Sequence, residues 1–250
     1  MRYFVQFSYS GKAYHGWQNQ PNAITVQQVL EKAFCTLLRA EISLMGAGRT
    51  DAGVHAKQMF AHFEIDNIPT ISDLIYKLNA FLPDDIAVQN VFKVRPEAHA
   101  RFDAIERTYE YWITQKKNPF YLDSAHYVKH SLDIEKMNEA ASFLLDTKDF
   151  ECFSKSNTDV HTYLCDVKEA SWRQKGEILV FTITANRFLR NMVRAIVGTL
   201  LDVGTGKSSL GDVKSIINSK DRSEAGYSVP AKGLYLTRII YPDTITAKHG

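Results

Sequence analysis

Gly48-Arg49-Thr50-Asp51-Ala52-Gly53-Val54-His55-Ala56 is the stretch on which the reading of this chain turns. It holds one carboxylate between glycines, beside a fixed positive charge and just ahead of a strand-like segment. Glycines at 46, 48 and 53 are expected to let the backbone enter positive φ and approach another group closely, which presents a short side chain at the floor of a cleft. Arg49 then helps to keep Asp51 ionised and aimed, and Asp51 becomes a candidate nucleophile. The same residues are also good turn formers, with Asp51 bonding nearby N–H groups as an Asx turn. Residue type alone does not choose between these two readings.

Taken whole, the string resembles the signature G-R-T-D-A-G-V-H-A of the tRNA pseudouridine synthase A (TruA) family, in which the aspartate is the catalytic residue. Further similarities follow along the chain: Gly16-Trp17-Gln18 with Gln20, Arg101-Phe102-Asp103-Ala104, Arg107-Thr108-Tyr109-Glu110-Tyr111, Phe188-Leu189 before Met192-Val193-Arg194, and Pro230-Ala231-Lys232-Gly233-Leu234-Tyr235-Leu236. Ser10 stands where the family carries aspartate, and Leu189-Arg190-Asn191 departs from the histidine or tyrosine the family more often has before Met-Val-Arg. The resemblance implies an α+β protein with the pseudouridine synthase fold: two similar α/β halves sharing a largely antiparallel sheet, with flanking helices and a central cleft. It also implies a homodimer acting on tRNA, at uridines 38 to 40 of the anticodon stem-loop.

Composition permits this without suggesting it. A chain of 250 residues with 45% hydrophobic residues can bury a substantial core. Thirty Lys and Arg against 28 Asp and Glu leave a formal charge of only +2. A nucleic-acid partner therefore has to be held by a local basic stripe, because the surface as a whole is not basic. Cys35, Cys152 and Cys165 are far apart, with no C-x-x-C pair, and read as reduced cytosolic thiols. The N-terminus lacks the apolar run of a signal peptide, and no apolar stretch approaches the roughly 20 residues needed to cross a bilayer. The expected location is the cytoplasm, with no membrane partner.

Period-2 segments at 3–8, 59–65, 86–94, 107–114, 167–172, 178–184 and 234–240 predict strands. Helical patterns fall at 25–38, with Thr25 as N-cap, and at 71–81, 133–145, 188–201 and 210–217. Strands interleaved with helices on both sides of 96–100 predict an α+β organisation in two halves. Residues 1–98 carry the aspartate loop, and residues 99–250 carry the Tyr109 strand and the Arg194 helix. Lys116-Lys117-Asn118-Pro119 reads as a basic turn, and 153–162, with Ser154, Lys155, Ser156, Asn157 and Thr158, as an exposed polar loop. The tail beyond Pro242 is expected to fray.

Isomerising uridine to pseudouridine breaks the N1–C1′ bond, turns the base and rejoins it through C5. Those steps call for no redox carrier, ATP or metal, so no cofactor is expected, and no P-loop or dinucleotide fingerprint is present. Asp51 could add to C6 of the uracil or to C1′ of the ribose, or assist base elimination. In a dry pocket its carboxylate needs a cation or hydrogen bonds to stay charged. Arg194 is the candidate: on a helix it flanks the stripe of Leu189, Val193, Ile196, Val197 and Leu200, and the resemblance pairs it with the aspartate. The resemblance also lays Tyr109 over the target uracil, where its phenol could take the C5 proton. Alternation places Tyr109 and Tyr111 on one face of a strand, so one can be core while the other lines the cleft.

RNA would be gripped by its backbone. Arg187, Arg190 and Arg194 are expected on one side of a single helix, extended by Arg49, Arg101, Arg107, Lys93, Arg95, Lys116 and Lys117. Asp51 with His55, or His126 with His130, have spacings that would suit a metal only on a helix, and neither pair has an evident third ligand; no metal is expected, and His55 is assigned to ordering the loop. Two other readings stand beside the synthase. One is a non-catalytic tRNA-binding or RNA-folding protein on the same scaffold. The other is a glycoside hydrolase or nucleosidase, which would want a second carboxylate such as Asp103 or Glu110.

Overall fold

The alternation Arg2-Tyr3-Phe4-Val5-Gln6-Phe7-Ser8-Tyr9 forms strand β1 (Arg2–Tyr9), and it sends aromatic side chains to both faces, so both faces must be covered. The computed structural model that shows this describes residues 1–156 and 160–246. The chain divides into two units, Met1–Ile105 with the segment from Leu236 onward, and Glu106–Tyr235.

In the first unit, β1 is followed by α1 (Val26–Leu38), β2 (Met45–Gly46), β3 (His55–Glu64), α2 (Ile71–Phe81) and β4 (Ile86–Lys93). β1 lies between β3 and β4, antiparallel to both, and β2 pairs with β3. Thr25 caps α1 as expected, its hydroxyl accepting the Gln28 N–H at 3.3 Å. On one face of β1, Tyr3 stacks on Phe63 at 5.8 Å and Phe7 on Trp17 at 5.2 Å, while Phe34 of α1 packs on Phe63 at 4.9 Å. On the other face Phe4 meets Phe92 at 5.8 Å and the ring of Tyr241 at 5.2 Å. α2 packs against β4 and α1.

The second unit contains β5 (Glu106–Thr114), β6 (His126–Tyr127), α3 (Ile134–Asp146), β7 (Val167–Lys175), β8 (Ile178–Ala185), α4 (Met192–Gly204) and α5 (Leu210–Ser219). β8 lies between β5 and β7, antiparallel to both, and β6 adds to β5 in parallel. α3 packs on β7, where the Asn138 amide donates to the Trp172 carbonyl at 3.2 Å and accepts the Trp172 N–H at 2.7 Å. Its other neighbours are α4 and α5. β9 (Leu234–Ile240) begins in this unit and carries the chain back into the first.

The α+β class and all seven expected strands are present; β2 and β6, two residues each, are additional. One helix differs. The pattern from Phe188 predicted a single helix to Leu201, but α4 starts at Met192, because Asn191 sits at φ 67, a left-handed conformation no right-handed helix can contain. Residues 186–191 are therefore a loop, and Arg187 and Arg190 do not share a helical face with Arg194. The tail also differs from expectation. Asp243–Ile245 form a 3-10 turn and Thr246 bridges to Val94, so residues 243–246 are held in place. Within the polar loop, Ser154 is buried, and Asn157 and Thr158 lie outside the described residues.

Candidate active site

In the first unit, Asp51 is half-buried on the loop between β2 and β3. The loop closes on itself through the Val54 N–H, which donates to the Asp51 carbonyl at 3.1 Å. A segment far away in sequence braces it. The Tyr9 and Thr50 hydroxyls are 2.8 Å apart, the Trp17 N–H donates to the Thr50 carbonyl at 3.3 Å, and the Gly53 N–H donates to the Tyr14 carbonyl at 3.2 Å. The Gly11 N–H donates to Nδ1 of buried His55 at 3.1 Å, which gives His55 the loop-ordering task expected of it. The brace is itself anchored, since the Tyr14 hydroxyl donates to Asp85 at 2.5 Å and the Ser10 N–H to the Asp85 carbonyl at 2.9 Å. Burial, and then the Asp85 carboxylate, push the Tyr14 phenol up, so it stays protonated as a donor.

The glycines serve the loop differently from expectation. Of the three, only Gly53 takes positive φ, at 78. Gly46 lies against the Trp17 indole, where a Cβ would come within 2.4 Å of Nε1. The positive φ the brace depends on belongs to Gly16, at 90, where a Cβ would also meet the Thr50 carbonyl oxygen at 2.3 Å. Arg49, at the head of the loop, is exposed, and Arg101 is exposed on a separate turn between β4 and β5.

In the second unit, the loop 186–191 gathers the other expected residues. Tyr109 and Tyr111 follow the alternation: Tyr111 is fully buried and donates to the Pro230 carbonyl at 2.9 Å, whereas Tyr109 is half-buried with its ring edge-on to Phe188 at 5.0 Å. Arg107 donates from Nη1 to the Asn186 carbonyl at 2.8 Å, fixing where the loop leaves β8. Arg187 is half-buried, and Arg190 is exposed with its carbonyl accepting the Lys155 N–H at 3.0 Å. Arg194 stands on the first turn of α4, half-buried. Its Nε donates to the Val229 carbonyl at 2.7 Å, while its own carbonyl accepts the Val229 N–H at 3.3 Å. The guanidinium is thus fixed through Nε to the segment that carries Val229.

The segment that holds it was not apparent from sequence. Arg222 donates from Nη1 to the carbonyls of Ala225 at 3.3 Å and Gly226 at 3.1 Å, and from Nη2 to the Ser228 hydroxyl at 2.9 Å. Asn191 donates to the same hydroxyl at 2.7 Å, and the Gly226 N–H donates to Thr199 of α4 at 2.9 Å. Residues 222–229 are in this way tied along the start of α4. The run Ser228-Val229-Pro230, leading into the last of the family-like stretches, was the available signal.

Comparison with known proteins adds an independent line. The profile of a family described as tRNA pseudouridine synthase matches residues 6–103 and 140–242. Those ranges take in Asp51 and Arg194 and leave Tyr109 between them. A tRNA pseudouridine synthase A of Parabacteroides distasonis is 51% identical, over 98% of this chain and 97% of the relative. One from Bacteroides fragilis is 51% identical over 98% of each, and one from Bacillus licheniformis is 43% identical over 96% of this chain and 99% of the relative.

Proposed function

This chain belongs to the tRNA pseudouridine synthase family, and on that premise we propose that it isomerises uridine to pseudouridine at positions 38 to 40 of the tRNA anticodon stem-loop, with Asp51 as nucleophile. Arg194 is its ion-pair partner, Tyr109 stacks on the target uracil, and Arg49, Arg101, Arg107, Arg187 and Arg190 contact the RNA. The N1–C1′ bond breaks, the base turns, the C5–C1′ bond forms, and C5 gives up a proton while N1 gains one. Atoms and electrons balance within substrate and solvent, so no external oxidant, reductant or group donor is consumed. The proposal extends to a homodimer working in the cytoplasm; among the described residues no helix is long and apolar enough to cross a membrane.

The observation that carries the assignment of Asp51 is the bracing of its loop by Tyr9, Gly11, Tyr14 and Trp17. A turn needed only to reverse the chain does not require ties to a segment some 40 residues away. A group that must meet a reacting carbon in one geometry does, because its freedom has to be removed before substrate arrives. Arg194 supports the reading in the same way, since its guanidinium is held through Nε by the Val229 carbonyl and a planar guanidinium is a fork suited to a carboxylate.

Tritium release from tRNA transcribed with 5-tritiated uridine tests this directly. The wild type is expected to release tritium in the presence of a chelator, and Asp51→Asn to release none while binding tRNA within a few fold. Intact tRNA binding with no release by the wild type would overturn the reading and leave a tRNA-binding protein.

A further inference from the structure

The turn between β4 and β5 is built more tightly than a connection needs to be. Every backbone N–H from Ala98 to Asp103, and the carbonyls of Ala98, His99 and Ala100, has a designated partner. The Ala98 carbonyl accepts from Arg2 Nη1 at 2.9 Å, and the His99 N–H donates to Asp103 Oδ2 at 2.7 Å. The Ala100 N–H donates to Nδ1 of buried His62 at 3.1 Å, and its carbonyl accepts from the Tyr241 hydroxyl at 2.5 Å. The N–H groups of Arg101 and Phe102 both point at His99 Nδ1, at 3.1 and 3.4 Å, and the Asp103 N–H closes the turn on the His99 carbonyl at 3.0 Å. Arg95 holds Asp103 from outside at 3.0 Å.

What this turn displays is a phenyl ring that the single chain leaves largely in water. Phe102 is 74% exposed. One side of its ring rests on the His99 imidazole, centroids 4.3 Å apart and planes 36° from parallel, and the Arg101 guanidinium carbon lies 5.6 Å from the ring centroid. His99 is backed in turn by the His62 ring at 4.6 Å. A Phe left in water gains nothing for folding, whereas a flat ring on a rigid support loses little entropy when a second flat ring is laid on it. The charges around the turn, Arg2, Arg95 and Arg101 against Glu64, Glu97 and Asp103, balance, so this surface offers stacking in place of a positive field.

We propose that Phe102 is a stacking platform for an unpaired nucleobase of the tRNA, with Arg101 placed to meet the sugar-phosphate beside it. The platform contributes affinity and register, and it performs no chemistry. It rests on tRNA being the substrate, and it is independent of the role given to Asp51.

Filter binding of tRNA to Phe102→Ala, Phe102→Leu and Phe102→Trp, each in an Asp51→Asn background so that no turnover intervenes, provides the test. Ala and Leu are each expected to weaken binding about tenfold, and Trp to bind as well as Phe or better. The slope of affinity against salt should be unchanged in all three, because stacking releases no counterions; Arg101→Ala should make it shallower. Ala binding within twofold of Phe, or Leu binding as well as Phe, would overturn the proposal. So would loss of a dimer by light scattering in the Ala variant, since Phe102 would then face a second copy of the chain. Melting temperatures of the three variants within a few degrees of wild type are expected, and a collapse confined to Ala and Leu would mark Phe102 as structural and overturn it as well.

Discussion

His62 is a residue that the folded chain keeps from taking up a proton. It is 9% exposed, its Nδ1 is committed to the Ala100 N–H, and burial first, then the neighbouring charges of His99 and Arg2, push its pKa down to about 4 against Glu64, which pulls the other way. His99 is lowered too, again chiefly by burial. In the unfolded chain an imidazole takes its proton near pH 6.5. Between about pH 6.5 and 4 the unfolded state therefore binds a proton that the folded state refuses. The contribution is whole above that window and is lost as pH falls through it. Melting temperature measured against pH should fall more steeply across the window for the wild type than for His62→Asn, whose Oδ1 can accept the Ala100 N–H without titrating. Identical slopes would show that His62 does not carry the effect. Residues of this kind are hard to see in a sequence. Asp51 was legible because everything that marks it lies within nine consecutive residues. Tyr9 and Tyr14, which hold its loop, and His62, which holds the Phe102 turn, read only as strand or loop aromatics until folding brings their partners to them.

Elements were legible wherever a local periodicity defined them, as with the seven longer strands and the cap at Thr25. The failure at α4 is instructive, because Phe188 and Leu189 continue the apolar stripe of the helix backwards and periodicity cannot register the single left-handed residue that stops it. Asn was the available sign, being the side chain that best tolerates that conformation. The loop so created lets Asn191 reach Ser228 and sets Arg194 at the head of the helix, where the segment 222–229 can hold it. Arg222 controls that segment through three acceptors, and Arg222→Ala should loosen it. The expected outcome is a fall of about tenfold or more in single-turnover rate with tRNA affinity held within a few fold. Arg222→Lys should recover little of the rate, since one ammonium cannot span the carbonyls and the hydroxyl together. Loss of affinity in parallel with rate would instead place Arg222 among the RNA contacts.

At the level of the whole molecule, the proposed homodimer would give a mass of twice 28.4 kDa by light scattering. A value of one chain mass at micromolar concentration would remove the dimer from the reading. The route of β9 matters in another way. The first unit is not finished by its own first 105 residues, because it takes Ile239, bonded to Gln58, Tyr241, bonded to Ala100, and Thr246, bridged to Val94, from the far end of the chain. On the ribosome those residues emerge after the entire second unit. The nascent first unit must therefore wait with the Phe4 and Phe60 rings lacking the Tyr241 side chain that packs on them, and with the Phe102 turn missing one of its ties. Completion of synthesis, and not the making of the aspartate loop, is the event that finishes the first unit and the turn proposed to meet RNA.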